Sequence, residues 1–238
     1  MNWLTDLLGV YGRVFARAID LLAVNWLLAV MVIAYQAIML GAGLALMPLG
    51  MVGGTAGGLV GSIMAMLVWA ACASSFLALL GRVIRDGRLS PREVPGSFTL
   101  HLGDVLNVGF LLFGLQLVGR LVLVPFPYLY IVFGIAVLVF LNAVPEMLYL
   151  GNIAGPALFV ESYRFIGQYW IEWFPPTLVL AAVSLGALAV IPGGIFAVLG
   201  WAVAAVAVTF LFLVRGLLFL ELTTSSRRAR EFQRRSVG

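Results

Sequence analysis

The sequence predicts an all-α membrane protein, a polytopic transmembrane bundle of six helices in three N-in hairpins, with interfacial amphipathic helices on the cytoplasmic side. Three observations carry this expectation. The 238 residues are 63% hydrophobic and only 10% charged, with a mean hydropathy of +1.11, where a soluble domain carries about 25% charge. Six apolar runs each approach the roughly 20 residues that a helix needs to cross hydrocarbon. All fourteen basic residues other than histidine are arginine, and thirteen of them fall on one side of the predicted spans, as cytoplasmic retention of positive charge requires.

Taken in order, residues 1–23 form an interfacial helix. Asp6, Arg13, Arg17 and Asp20 share one of its faces, and Trp3, Leu7, Leu8, Tyr11 and Phe15 occupy the rest. The first hairpin, 24–80, pairs a run from Val24 to Met47 with one from Leu59 to Leu80 across the uncharged, glycine-rich turn Pro48–Gly58. Two glycine ladders there, Gly50, Gly54, Gly58 and Gly53, Gly57, Gly61, read as a flat packing face or as a loop followed by ordinary packing. A cytoplasmic loop, 81–103, begins with Arg82, Arg85, Asp86 and Arg88 and ends in a short amphipathic stretch, Gly96 to Gly103.

The second hairpin, 104–149, joins Val105–Val124 to Tyr128–Tyr149 through Pro125-Phe126-Pro127. Residues 150–174 form the second cytoplasmic interfacial helix, with Glu161, Arg164, Gln168 and Glu172 on one face and Phe159, Tyr163, Phe165, Tyr169, Trp170 and Trp173 around them. Aromatic rings suit the headgroup level. The third hairpin, 175–222, joins Pro175–Ile191 to Ile195–Arg215 through Pro192-Gly193-Gly194, where proline stops a helix and glycine closes the turn. A basic tail, 223–238, follows. Both termini are expected inside the cytoplasmic (inner) membrane, with Arg120 alone outside, and the charged leader and long first span argue against a cleavable signal. Three successive units of interfacial segment plus hairpin read as parallel repeats or as the general periodicity of hairpin proteins.

Composition removes several chemistries. One cysteine, Cys72, excludes an internal disulfide, one histidine, His101, excludes a two-histidine zinc motif, and the lack of lysine excludes Schiff-base catalysis. No cofactor or metal site is expected. His101 and Asp104, three residues apart with Ser97 and Thr99 nearby, are the nearest approach to a catalytic dyad, but the chain has no GxSxG and Ser74 and Ser75 have no neighbouring base in sequence. The run Gly53–Gly58 lacks the lysine of a phosphate loop.

Polar residues inside spans are the default functional candidates: Gln36, Asp104, Asn107, Gln116, Arg120, Asn142, Glu146, Arg215 and Glu221. Asp104 and Glu146 are read as cytoplasmic span ends, and Arg120 and Arg215 as side chains that snorkel to an interface. Asn107, Gln116, Arg120 and Asn142 then form a candidate polar path between the third and fourth helices. The alternative is interhelical bonding at about 0.6 kcal/mol per contact. Arg227, Arg228, Arg230, Arg234 and Arg235 of the tail attract anionic headgroups at about 1 kcal/mol each, or serve only as a topology signal. Together with Arg164, Trp170 and Trp173 they mark a candidate surface for lipid or for another membrane or cytoplasmic protein. Nucleic acid is not expected, because the arginines flank spans and no folded basic platform exists.

The stretch Ser74 to Arg88, small residues running into Gly81-Arg82 and Asp86-Gly87-Arg88, together with Val144-Pro145-Glu146 leading through Glu161-Ser162 to Trp170, resembles segments of uncharacterised bacterial six-span families. These are similar in layout to the membrane domain fused to some glycerophosphodiester phosphodiesterases. The resemblance implies a polytopic helical fold. It transfers no catalytic residue, since the soluble phosphodiesterase domain has no counterpart in these residues. Two function classes follow: a non-enzymatic scaffold, assembly factor or accessory subunit of a membrane complex, and a transport permease, working with a cytoplasmic ATPase or carrying a hydrophobic substrate. A broken helix or continuous polar path at mid-membrane discriminates them, and the spans read as unbroken.

Overall fold

The computed structural model describes residues 3–123, 125–151, 153, 155–189 and 195–224. Among them the chain is all helical: α1 (Trp3–Val24), α2 (Leu27–Val52), α3 (Gly54–Asp86), α4 (Val94–Leu100), α5 (Leu102–Leu123), α6 (Pro127–Phe140), α7 (Val144–Leu150), α8 (Ala157–Ala189) and α9 (Ile195–Thr224), with a 3-10 turn at Pro91–Glu93. Five segments are long and apolar enough to cross a bilayer, Leu27–Leu49, Ala56–Asp86, Leu102–Leu123, Pro127–Leu150 and Gly200–Thr224. The chain is an integral membrane protein of the helical type. The remaining predicted run occupies the second half of α8 as far as Ala189, while Ile191, the turn Pro192–Gly194 and the tail arginines 227, 228, 230, 234 and 235 lie outside the described residues.

The first turn is far tighter than its composition implies. Pro48 sits inside α2, and α3 starts at Gly54, so the long turn expected from Pro48 to Gly58 reduces to Gly53-Gly54. Gly54 adopts φ +57°, and a Cβ on Gly53 would lie 2.6 Å from Gly57 Cα. Only glycine fits there. The ladder does place one residue in close packing, because a Cβ at Gly61 would touch the Leu46 carbonyl oxygen of α2 at 3.7 Å.

At its other end α3 runs past Leu80 to Asp86, where a loop had been expected. Val83 and Ile84 are buried, and both arginines of that last turn and a half have partners: Arg82 pairs with Glu93 at 3.0 Å, and Arg85 donates to the Tyr149 and Leu150 carbonyls at 2.9 and 3.2 Å. Gly87, at φ 77°, ends the helix with a left-handed cap. Asn25, between α1 and α2, accepts from Leu89 N at 2.7 Å and donates to the Gly87 and Leu21 carbonyls. One amide thus ties the first interhelical turn to the end of α3.

Packing is concentrated at the arginine-rich end. Buried apolar residues come from Val10–Leu28, Ala70–Ile84, Val105 and Val108, Ala143–Tyr149, Leu158–Trp173 and Leu213–Leu222. The opposite halves of α2 and α3 and most of α5 and α6 instead expose large apolar side chains, among them Leu44, Ile63, Phe113, Leu121, Val132 and Leu138. Close helix approach in the packed half depends on glycine. Tyr149 lies between Gly81 and Gly216, and a Cβ on Gly216 would collide with Ile84 and come within 2.5 Å of the Tyr149 hydroxyl.

α1 lies along α9, with Val10, Val14, Ala18 and Leu21 forming its buried stripe and Arg13, Arg17 and Asp20 exposed. Arg13 reaches Glu221 at 3.1 Å, and Phe15 meets Phe210 edge-on at 5.8 Å. α8 kinks at Tyr169 (φ −122°, ψ 16°), nearly two turns before Pro175-Pro176. Pro176 has no N–H for the Glu172 carbonyl, and the Tyr11 hydroxyl donates to that oxygen at 2.8 Å.

Two predictions follow from this packing. Gly216→Ala overpacks the contact with Ile84 and Tyr149 and lowers stability by about 1–3 kcal/mol, measured as the unfolding midpoint in detergent, whereas Gly114→Ala, with open space around it, stays within about 0.5 kcal/mol of wild type. Burial, with the nearby Glu172 carboxylate, raises the Tyr11 phenol from 10.0 to about 12. Its folded pKa being the higher, the stabilisation is complete below the unfolded value and disappears as pH rises through about 12. The phenolate absorbance of wild type minus Tyr11→Phe should therefore appear near pH 12, and a component near 10 refutes the buried placement.

Candidate functional site

The fourth predicted span is not continuous. α6 ends at Phe140, Leu141–Ala143 form a turn, and α7 begins at Val144. Pro145 explains the break, since its ring clashes with the carbonyl four residues back and it has no N–H to continue the ladder. Lying 14 residues, or about 21 Å at 1.5 Å per residue, from Pro127, the turn falls within the arginine-rich half of the span. Backbone groups released inside hydrocarbon need partners.

Side chains from two other helices supply them. Ser162 of α8 donates to the Phe140 carbonyl at 2.8 Å. From α9, Arg215 Nη2 donates to the Asn142 carbonyl at 2.6 Å and Nη1 to Asn142 Oδ1 at 3.0 Å. The same guanidinium grips Glu146 bidentately, Nε to Oε1 at 2.6 Å and Nη2 to Oε2 at 2.8 Å. Trp173 Nε1 donates to Asn142 Oδ1 at 2.9 Å, and the Arg215 guanidinium carbon lies 5.0 Å from the centroid of the Trp173 ring and 5.8 Å from that of Phe212. Glu146 and Trp173 are fully buried and Arg215 is 7% exposed. The pair is a planar, charge-assisted fork enclosed by aromatic faces, and Arg85 holds the far end of α7 through the two carbonyls named above.

This placement corrects the sequence reading at three points. Arg215 does not snorkel and Glu146 is not a solvated span end, because each is the other's buried counter-ion. Trp173 is not a lipid or partner surface but part of the core, whereas Trp170 is exposed, as is Arg164, which pairs with Glu161 at 2.6 Å. The candidate polar path divides. Asn142 is in the cluster, while Asn107, Gln116 and Arg120 occupy exposed positions on α5 and take no part in it. The signal that identifies the cluster is the presence of opposite charges, Glu146 and Arg215, in two different apolar runs.

The hydroxyl-rich region around His101 serves helix docking. Tyr35, Ser75 and Ser97 form a buried chain with O···O distances of 2.6 and 2.5 Å, Ser97 donates to the Val94 carbonyl, and Ser74 accepts the His101 backbone N–H at 3.0 Å. These bonds seat α4 on α3. His101 Nδ1 and Asp104 Oδ2 are 4.0 Å apart, beyond hydrogen-bonding reach. Burial lowers the His101 pKa, with Arg85 adding to the effect and Asp104 opposing it. Among the described residues no group of three or more His, Cys, Asp or Glu side chains converges on a metal-sized site. No protein-family model, curated protein or solved structure matches the chain.

The cluster leads to a prediction with a sign. Arg215→Met leaves a buried carboxylate and an unmet carbonyl, and costs about 3–5 kcal/mol in reversible unfolding in detergent. Arg215→Met combined with Glu146→Leu removes both charges and recovers more than half of that loss. A double variant no more stable than the single one refutes the ion pair as the main link between α7 and α9.

Proposed function

We propose that the chain is a non-enzymatic multi-spanning protein of the cytoplasmic (inner) membrane that acts as a scaffold, assembly factor or accessory subunit of a membrane complex. The observation that supports this reading best is the division of the molecule into a bonded half and an open half. At the arginine-rich end Glu146, Arg215, Asn142, Ser75 and Ser97 are committed to one another or to backbone, the buried Tyr149 hydroxyl being an exception. Such an arrangement holds a shape. Towards the other end, α5 and α6 expose Phe110, Phe113, Leu121, Ile131, Ile135 and Leu138, an apolar surface suited to the helices of another membrane protein. The reading includes six spans, with the second half of α8 as the fifth, both termini inside, and anionic headgroups against the basic residues of the cytoplasmic face.

A transport permease is the second reading, and the break at Leu141–Ala143 favours it, because transporter sites are usually built from discontinuous helices. The two readings differ at Asn142. Asn142→Leu abolishes transport with normal insertion in a permease, but in a scaffold it lowers stability and leaves the complex intact at permissive temperature.

The test of the scaffold reading places a photo-activated crosslinking residue at Leu121, with the buried Leu79 as control, and joins it to purification of the tagged protein in mild detergent. We expect one other integral membrane protein at stoichiometric yield, crosslinked from position 121 and not from 79. Recovery of the chain alone, with only lipid adducts at 121, overturns it.

A further inference from the structure

A concave site lies at the arginine-rich end, apart from the Arg215 cluster. It is a cleft of about 280 Å³ between the last turns of α3, the α4–α5 junction and the end of α7. Ala78, Leu100 and Leu148 form its apolar wall, and Arg82, Arg85 and His101 bring cationic and imidazole groups to it. Gly81, Tyr149 and Gly151 complete the lining.

We infer that this cleft binds a phosphate group, as an anionic phospholipid headgroup or as a free phosphate, between Arg82 and Arg85 with His101 as a further hydrogen-bonding group. Arg85 is bonded to two neutral carbonyl oxygens, so its charge is oriented without being cancelled by a carboxylate in those contacts. Arg82 is anchored through Nη1 to Glu93 Oε2, and its side chain remains one-third exposed. Glu93 holds Arg82 and Asp104 stands 4.0 Å from the imidazole, while neither they nor Asp86 at the end of α3 line the cleft. A cleft lined by two arginines and by apolar side chains suits a group that is anionic at one end and oily at the other. Arginine favours phosphate because its donor fork matches the oxygen geometry. The inference does not depend on the scaffold reading, and requires only that this end of α3 lie at a membrane surface.

The test uses the full-length protein purified in a non-ionic detergent. Native mass spectrometry counts retained dioctanoyl phosphatidylglycerol, with dioctanoyl phosphatidylcholine as the zwitterionic comparison, and equilibrium dialysis measures inorganic phosphate. We expect one saturable phosphatidylglycerol per chain, with affinity reduced at least tenfold in Arg82→Gln and Arg85→Gln and unchanged in Arg164→Gln. Leu100→Trp, at an exposed position on the cleft wall, should block binding without removing charge, and it decides the matter if either arginine variant misfolds. Saturable phosphatidylglycerol with no phosphate binding assigns the site to a lipid headgroup, while phosphate that saturates at one per chain and displaces the lipid assigns it to the anion alone. The inference fails if neither anion saturates, or if binding survives both arginine substitutions or the tryptophan.

Discussion

The fold depends on a rule that hydrocarbon enforces strictly: a backbone group released by a helix break must be met by another group. This chain breaks its helices several times and meets the released groups with side chains from distant elements. The Phe140 carbonyl is met by Ser162, the Asn142 carbonyl by Arg215, the Glu172 carbonyl by Tyr11, and the end of α7 by Arg85. Each break thereby becomes a specific tie between two helices. Lipid supplies no hydrophobic drive for helices to associate, so directional ties of this kind select one arrangement among many that bury similar apolar area.

The Arg215–Glu146 pair is the strongest of these ties in geometry, yet its net contribution to stability differs from its Coulomb energy. Desolvating both charges offsets most of the attraction, and an apolar core of equal volume would hold the helices about as tightly. What the ions add is register. A guanidinium bonded to one carboxylate, one side-chain amide and one backbone carbonyl has no equivalent position one turn away, so α9 cannot slide along α7. The glycines at 81 and 216 act in the same direction by admitting Tyr149 at a single height.

Much of this architecture is legible in the sequence, because hydropathy and arginine placement are strong local signals. The helical membrane class and the apolar runs can be read residue by residue, whereas the buried stripe of α1 is Val10, Val14, Ala18 and Leu21 and not the Leu7, Leu8, Tyr11 and Phe15 that the sequence singles out. The pairing of Glu146 with Arg215 cannot be read the same way, since the two are 69 positions apart and each, taken alone, lies close enough to a span end to suggest escape to water. Trp173 was misleading for a related reason: its neighbours Trp170 and Arg164 do face outward, and only the helical phase relative to α9 decides which aromatic turns in. The break before Pro145 is missed by a reading in which every span is unbroken. Its significance came only with the partners of the carbonyls around it.

The order in which these partners are made has a further consequence. Glu146 leaves the ribosome 69 residues ahead of Arg215, which at about 5–20 residues per second is a delay of about 3–14 s. Over that interval the fourth span has its acidic residue but not its counter-charge, and an unpaired carboxylate is costly inside a bilayer. The α6–α7 segment therefore has to wait, with Glu146 held near the membrane surface, until α9 arrives. Synthesis of α9 is then the event that supplies the counter-charge, and a nascent chain stalled before it would present quality-control proteases with a half-inserted hairpin.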